Sequence, residues 1–94
     1  MQMSRRYIIV DERDNVATAI TDLGVGEKIH IGEKEILIRQ DIRYGHKFSL
    51  TGIAEGEYVV KYGEYIGRAT KIIAPGEHVH IHNVEDIVDE VRKL

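Results

Sequence analysis

Three histidines alternate with apolar residues in the run Gly76-Glu77-His78-Val79-His80-Ile81-His82-Asn83. On an extended strand, residues i, i+2 and i+4 face the same way, stepping by about 6.6 Å, so His78, His80 and His82 would share one face. Neutral imidazole nitrogens there suit a divalent ion such as Zn²⁺ or Fe²⁺. Protonated, the same rings would bind a carboxylate, and near neutral pH they would relay a proton. Strand spacing overreaches one small ion, so two of the three is the expected ligand set. The plain alternative is a polar outer face over a buried face of Val79 and Ile81. A second group is Gly45-His46-Lys47, where His46 could act as a general base and Lys47 could clamp a carboxylate as a point charge. An ordinary loop with two solvated side chains is the other reading. A third is Lys61-Tyr62-Gly63-Glu64 followed by Ile66-Gly67-Arg68-Ala69-Thr70. Lys61, Tyr62 and Arg68 could read an anionic, hydroxylated ligand, or simply flank a β turn.

These residues need elements to place them. Leu23–Ile29 (LGVGEKI), Ile53–Val59 (IAEGEYV) and Ile73–Val79 (IAPGEHV) share one form: an apolar residue, two more, Gly-Glu, one residue, then Ile or Val. Glycine frees the backbone for a turn, and the apolar residue three beyond it opens a strand. Three such units predict a small β fold built from repeated turns. Tyr7–Val10 reads as a short strand, Ile29, Ile31, Ile36 and Ile38 flank a hairpin turn at Gly32-Glu33-Lys34, and Tyr58–Tyr62 reads as another strand. His78–His82 reads as a half-buried strand at period two. Asp14–Leu23 stays open: Val16, Ala19, Ile20 and Leu23 have helical spacing behind an Asp14 N-cap, while Val16, Thr18 and Ile20 suit a strand. At the end, Asn83 as N-cap, Glu85 and Asp86 in the first turn, and an apolar face of Val84, Ile87, Val88, Val91 and Leu94 predict a helix over about 84–93. Its stripe would cover its own sheet or a partner.

Composition narrows the classes. The 94 residues contain no cysteine, which excludes disulfides, thiolate nucleophiles and Cys-ligated metals. A single domain over 1–94 is expected, too small for a two-lobed cleft. Lys+Arg 13 against Asp+Glu 16 gives −3, which argues against nucleic acid and anionic membranes as partners. With 43% apolar and 31% charged residues the chain is globular. No apolar run suits a membrane span or a signal peptide, so the cytoplasm is the expected compartment. No phosphate-cradling loop or nucleophile elbow is present.

Asp14-Asn15-Val16-Ala17, Gly45-His46-Lys47, Lys61-Tyr62-Gly63-Glu64, Ile66–Thr70 and GEHVHIHN over 76–83 occur in one order. Together they resemble the N-terminal SAF domain of the altronate/galactarate dehydratase family, over about residues 7–84. The small subunit of sulfolactate sulfo-lyase is similar. The resemblance implies a compact β-clip, mainly β, and favours the strand reading of Asp14–Ile20. It implies a lyase that removes water, or sulfite, from a hydroxylated acid to give a 2-keto-3-deoxy product. A divalent metal is implied, Fe²⁺ above others, held mainly by or shared with a large subunit. That chemistry removes a proton α to a carboxylate and stabilises an enediolate, which metals or cations can do.

Residue by residue, the resemblance puts His46 and Lys47 at the active-site edge, Lys61 and Tyr62 near it, and His78, His80, His82 and Asn83 on the most characteristic strand. The expectation drawn from both readings is catalysis by His46, Lys47, Lys61 and Tyr62, substrate contact by Arg68 and Asn83, and a metal on two of His78, His80 and His82. Many members carry a His three residues before Asp-Asn-Val, where this chain has Asp11. Single-chain members continue into a much larger domain. The expectation is therefore the small subunit of a two-component sugar-acid dehydratase, inactive without a large catalytic subunit and open to homo-oligomerisation. The rivals are a sulfolactate-type sulfo-lyase subunit, a stand-alone binding module for a carboxylated sugar or a metal, and a structural cap.

Overall fold

The computed structural model describes residues 2–87. Ten short strands follow in chain order: β1 (Gln2–Met3), β2 (Tyr7–Ile9), β3 (Val16–Ala19), β4 (Lys28–Ile31), β5 (Lys34–Leu37), β6 (Lys47–Ser49), β7 (Tyr58–Lys61), β8 (Glu64–Ala69), β9 (His78–Val79) and β10 (Val84–Glu85). They form a five-stranded antiparallel sheet in the order β1-β2-β3-β6-β9, a three-stranded sheet β10-β8-β7, and the hairpin β4-β5. The mainly β expectation holds.

The repeated unit organises these strands, and there are four copies rather than three. Leu23–Ile29, Ile42–Phe48, Ile53–Val59 and Ile73–Val79 each hold a glycine at positive φ, namely Gly26, Gly45, Gly56 and Gly76 at 82–91°. After each glycine a backbone N–H closes the turn onto the carbonyl three residues back: Glu27 on Gly24, His46 on Arg43, Glu57 on Ala54, Glu77 on Ala74. The second copy, Ile-Arg-Tyr-Gly-His-Lys-Phe, is hidden in the sequence because His46 stands where the others carry Glu.

The opening residues of the units pair reciprocally through backbone bonds, Leu23 with Ile42 and Ile53 with Ile73. Each pair brackets a hairpin. The β4-β5 turn has Gly32 at φ 60°, and the β7-β8 turn is Tyr62-Gly63 at φ 55° and 76°. Tyr62 therefore belongs to the turn, not to the strand expected over Tyr58–Tyr62. Burial follows the duplication. One core gathers Leu23, Ile29, Ile38, Ile42 and Phe48 with Tyr7, Ile9, Ala17 and Ala19. The other gathers Val16, Ile53, Val59, Ala69, Ile73 and Val79.

Within Asp14–Leu23 the strand reading holds over Val16–Ala19 alone, which form β3, and Leu23 makes an isolated bridge with Ile42. Asp14 caps no helix: its carboxylate accepts from the N–H groups of Val10 (3.2 Å), Asp11 (3.1 Å) and Gly63 (2.8 Å), tying the β2-β3 connection to the β7-β8 turn.

Two further expectations are corrected. Helix 84–93 does not start where its caps placed it. Val84 and Glu85 form β10, paired with Ala69 and Arg68. Val84 lies so close over Gly67 that a Cβ there would collide with it. Burial of Val84 against the second core outweighs helix propensity in so short a segment. There is no helix among the described residues, and 88–93 of the expected helix lie outside them. The strand expected over His78–His82 stops after Val79. Ile81 is 84% exposed rather than buried, and residues 81–83 form a turn.

Candidate functional site

Asn83 explains that turn. It is fully buried. Its side-chain carbonyl accepts from His80 N–H (3.0 Å) and its amide donates to the His78 carbonyl (2.8 Å). Its own N–H donates to the His80 carbonyl (3.1 Å). An asparagine side chain that satisfies local backbone groups competes with the strand ladder and wins here. The result is a bend that gathers the histidines more tightly than a strand would. Ring centroids of His78 lie 5.5 Å from His80 and 5.2 Å from His82.

His46 joins them from another element. It directly precedes β6, whose Phe48 pairs with His78. The three other units carry Glu at this place, and in two of them it folds back: Glu27 accepts from Gly24 N–H, and Glu77 from Ala74 N–H (3.2 Å). His46 instead turns toward β9. Its Nδ1 is 2.9 Å from His78 Nε2, and its ring centroid is 4.8 Å from that of His80.

One ring nitrogen from each of His46, His78 and His80 lies within 4.8 Å of the others. Nitrogens at about 2.0–2.1 Å around a tetrahedral Zn²⁺ stand about 3.4 Å apart, so small side-chain rotations would bring all three to one ion. The donor set fits such an ion. Burial, then the charges of His82, His46, His80 and Lys47, pushes His78 down to about 4, so its ring is neutral and its lone pair free at neutral pH. Burial, then His46, Lys47 and His82, lowers His80 as well. The three histidines can therefore hold a metal. Imidazole alone does not choose among Zn²⁺, Fe²⁺, Cu²⁺ and Ni²⁺. The set differs from the expected one: His78 and His80 belong to it, His46 completes it, and His82 sits exposed beside His78.

Lys47 follows His46 and is half-buried. Burial, then repulsion from Lys61, lowers its ammonium below the ordinary lysine value. A cavity of about 270 Å³ opens beside it, lined by Lys47, Ile66, His80, Ile81, Glu85 and neighbours. Lys47 pairs across the sheet with Thr18 of β3, whose hydroxyl is 3.5 Å from the Tyr62 hydroxyl. Lys61 lies with its ammonium 4.7 Å from the Tyr62 ring centre. So the structure brings His46, Lys47, Lys61, Tyr62 and the three strand histidines to one region. Arg68 faces a different set, 3.3 Å from the Tyr58 hydroxyl and 3.9 Å from Glu85, a carboxylate that also lines the cavity. Asn83 spends its side chain on the backbone that holds His78 and His80. Sequence reasoning missed Thr18; only the strand pairing reveals it.

A small antiparallel β domain that presents clustered imidazoles and a half-buried lysine beside a cleft is the class these features define. The model of the altronate/galactarate dehydratase SAF domain matches residues 5–87, and the chain belongs to that family. It is 47% identical over 78 residues to altronate dehydratase of Escherichia coli (strain K12), covering 83% of this chain and 16% of that enzyme. It is 36% identical over 88 residues to altronate dehydratase of Bacillus subtilis (strain 168), covering 94% of this chain and 18% of that enzyme. It is 46% identical over 48 residues to the (2R)-sulfolactate sulfo-lyase subunit alpha of Chromohalobacter salexigens, covering 51% of each chain. The chain thus spans less than a fifth of the altronate dehydratases it matches. Among the described residues no helix is long and apolar enough to cross a membrane.

Proposed function

We propose that the chain is the SAF component of a sugar-acid dehydratase of the altronate/galactarate class, acting in the cytoplasm with a large catalytic subunit. The short antiparallel strands support the β-clip architecture of such a domain. The observation that carries the reading is the convergence of His46, His78 and His80 beside Lys47 at an open cavity, in a chain of this family. Dehydration takes the proton α to a carboxylate, pushes the electron pair toward the carboxylate as an enediolate, and expels the β-hydroxyl as water once it is protonated. The enol formed then ketonises to the 2-keto-3-deoxy acid.

A divalent ion, Fe²⁺ in this reading, would be held by His46, His78 and His80 and shared with the large subunit, stabilising enediolate charge. The base that takes the α-proton and the acid that protonates the leaving β-hydroxyl belong to the large subunit in this reading, and the chain's own groups assist. His82, beside His78 and open to solvent, passes the abstracted proton outward. Lys47 adds positive charge where the enediolate forms. Asn83 holds the turn that aims His78 and His80. The kinship to a sulfo-lyase alpha subunit supports a second substrate class, in which sulfite replaces water as the leaving group.

The test is reconstitution. The purified chain is combined with the large subunit it retains from its native cytosol, and 2-keto acid formation from altronate, galactarate and sulfolactate is followed with added Fe²⁺. The complex turns over and the chain alone does not. Turnover by the chain alone overturns the reading, as does recovery of the chain by itself with tight ligand binding, which makes it a stand-alone binding module.

A further inference from the structure

A β-bulge shapes the outer face of the hairpin β7-β8. Tyr58 pairs with Arg68 and Val59 with Gly67, but Val60 pairs with Tyr65, so Ile66 is the extra residue on β8. At strict period two, Tyr65 and Arg68 would face opposite ways. The bulge turns both to one side, where both lie against the Tyr58 ring. The Arg68 guanidinium carbon is 5.2 Å from the Tyr58 ring centre. The Tyr65 ring is 4.5 Å from it, with the two planes only 4° apart. Cation–π contact and parallel stacking hold the row in place. Tyr65 is nevertheless 56% exposed.

Beside Tyr65 the surface opens into a cavity of about 330 Å³, lined by Arg13, Val60, Gly63 and Tyr65. Arg13 reaches it from the β2-β3 connection. Its Nε and Nη2 donate to the two carboxylate oxygens of Asp11 at 2.9 and 3.0 Å. This side-on pairing fixes the plane of the guanidinium and matches its charge. Gly63 makes room for the pair, since a Cβ there would come within 2.8 Å of both Nη2 and the Asp11 carboxylate. The end of the fork, Nη1 with the second Nη2 hydrogen, has no partner among the described residues.

We propose that this cavity binds the base of a free guanine nucleotide, stacked on Tyr65 with its edge held by Arg13. Two parallel N–H groups match the two adjacent acceptors of guanine, whereas adenine offers one acceptor beside a donor. The aromatic wall stacks on any base, and the fork chooses among them. A bare anion fits poorly, because Asp11 already matches the Arg13 charge. A nucleic-acid strand fits poorly as well, because the chain carries a net charge of −3. The cavity shares no residue with the histidine cluster, so this inference and the dehydratase reading stand or fall separately.

The test titrates the full chain with guanylate, adenylate and ribose phosphate, following backbone amides by NMR. Guanylate produces saturable shifts at Val60, Gly63 and Tyr65. Adenylate binds about tenfold more weakly for want of the second acceptor, and ribose phosphate gives no saturable shift. Tyr65→Ala weakens guanylate about tenfold, while Tyr65→Phe, which keeps the ring, leaves it unchanged. Arg13→Lys keeps the charge beside Asp11 but lacks the fork, so guanylate falls to the level of adenylate. Asp11→Asn releases the guanidinium from its fixed plane and weakens guanylate. Lys34→Met, on the other hairpin, changes nothing.

No saturable response to guanylate, an equal response to ribose phosphate, equal affinity for adenylate, or unchanged binding by Tyr65→Ala overturns the site. Should Tyr65→Ala fail to fold, Arg13→Lys decides: a retained preference for guanylate overturns the site, and its loss supports it.

Discussion

His46 Nδ1 and His78 Nε2 lie 2.9 Å apart although 32 residues separate them in the chain. One ring comes from the loop entering β6 and the other from the start of β9, and the antiparallel pairing of Phe48 with His78 sets their approach. A triad assembled across strands is more rigid than three side chains on one flexible loop, so its metal binding depends on each member.

Metal binding is the first consequence. Co²⁺ or Zn²⁺ titration of the chain gives one stoichiometric site. His46→Asn, His78→Asn and His80→Asn each lower the affinity at least about tenfold, and His82→Asn lowers it less. Equal loss from all four variants would assign His82 to the coordination sphere.

Asn83→Ala removes the acceptor of His80 N–H and the donor to the His78 carbonyl at a fully buried position. Each buried group left without a partner costs about 1–3 kcal/mol. Urea unfolding gives a lower midpoint with an unchanged slope, and metal affinity falls with it because the histidine turn loosens.

Stability in the metal-free protein depends on pH, and His78 and Asp11 are two of the groups that carry it. His78 titrates near 6.5 when unfolded and near 4 when folded, so between those values the unfolded chain binds more protons. Stability is then fully present above pH 6.5 and is lost as pH falls toward 4. Asp11 is lowered from 3.8 to about 2, first by the side-chain bond from Arg13 and then by its backbone bond, so its contribution is present above 3.8 and lost as pH falls toward 2. Thermal melts across the range show two declines, and His78→Gln shrinks the upper one, to which the lowered His80 also contributes.

Glycine substitutions separate backbone strain from collision. Gly45 sits at φ 85° with open space where a Cβ would go, and Gly45→Ala costs about 1–2 kcal/mol for the left-handed conformation alone. Gly76 has a similar φ, but a Cβ there would run into the Leu37 carbonyl. Gly76→Ala costs more than about 3 kcal/mol or abolishes folding, since backbone cannot move aside as a side chain does. Denaturation of the two variants side by side reads the difference.

The residues themselves declare the turn glycines, the β class and the hairpin at Gly32, because glycine at fixed spacing before an apolar residue has one cheap conformation. They also single out His46, Lys47, Lys61, Tyr62 and the strand histidines as types capable of chemistry, and the ordered motifs mark the family. Three things needed the tertiary structure. Val84 and Glu85 read as a helix start until β8 offers Gly67 as a surface to pack on, since local propensity in two residues is weaker than burial against a core. The alternation through His78–His82 reads as a strand until buried Asn83 captures the backbone of His78 and His80, a contest that periodicity does not register. The partnership of His46 with His78, and of Lys47 with Thr18 and Tyr62, exists only through strand pairing, because register is set by which core faces meet and not by distance along the chain.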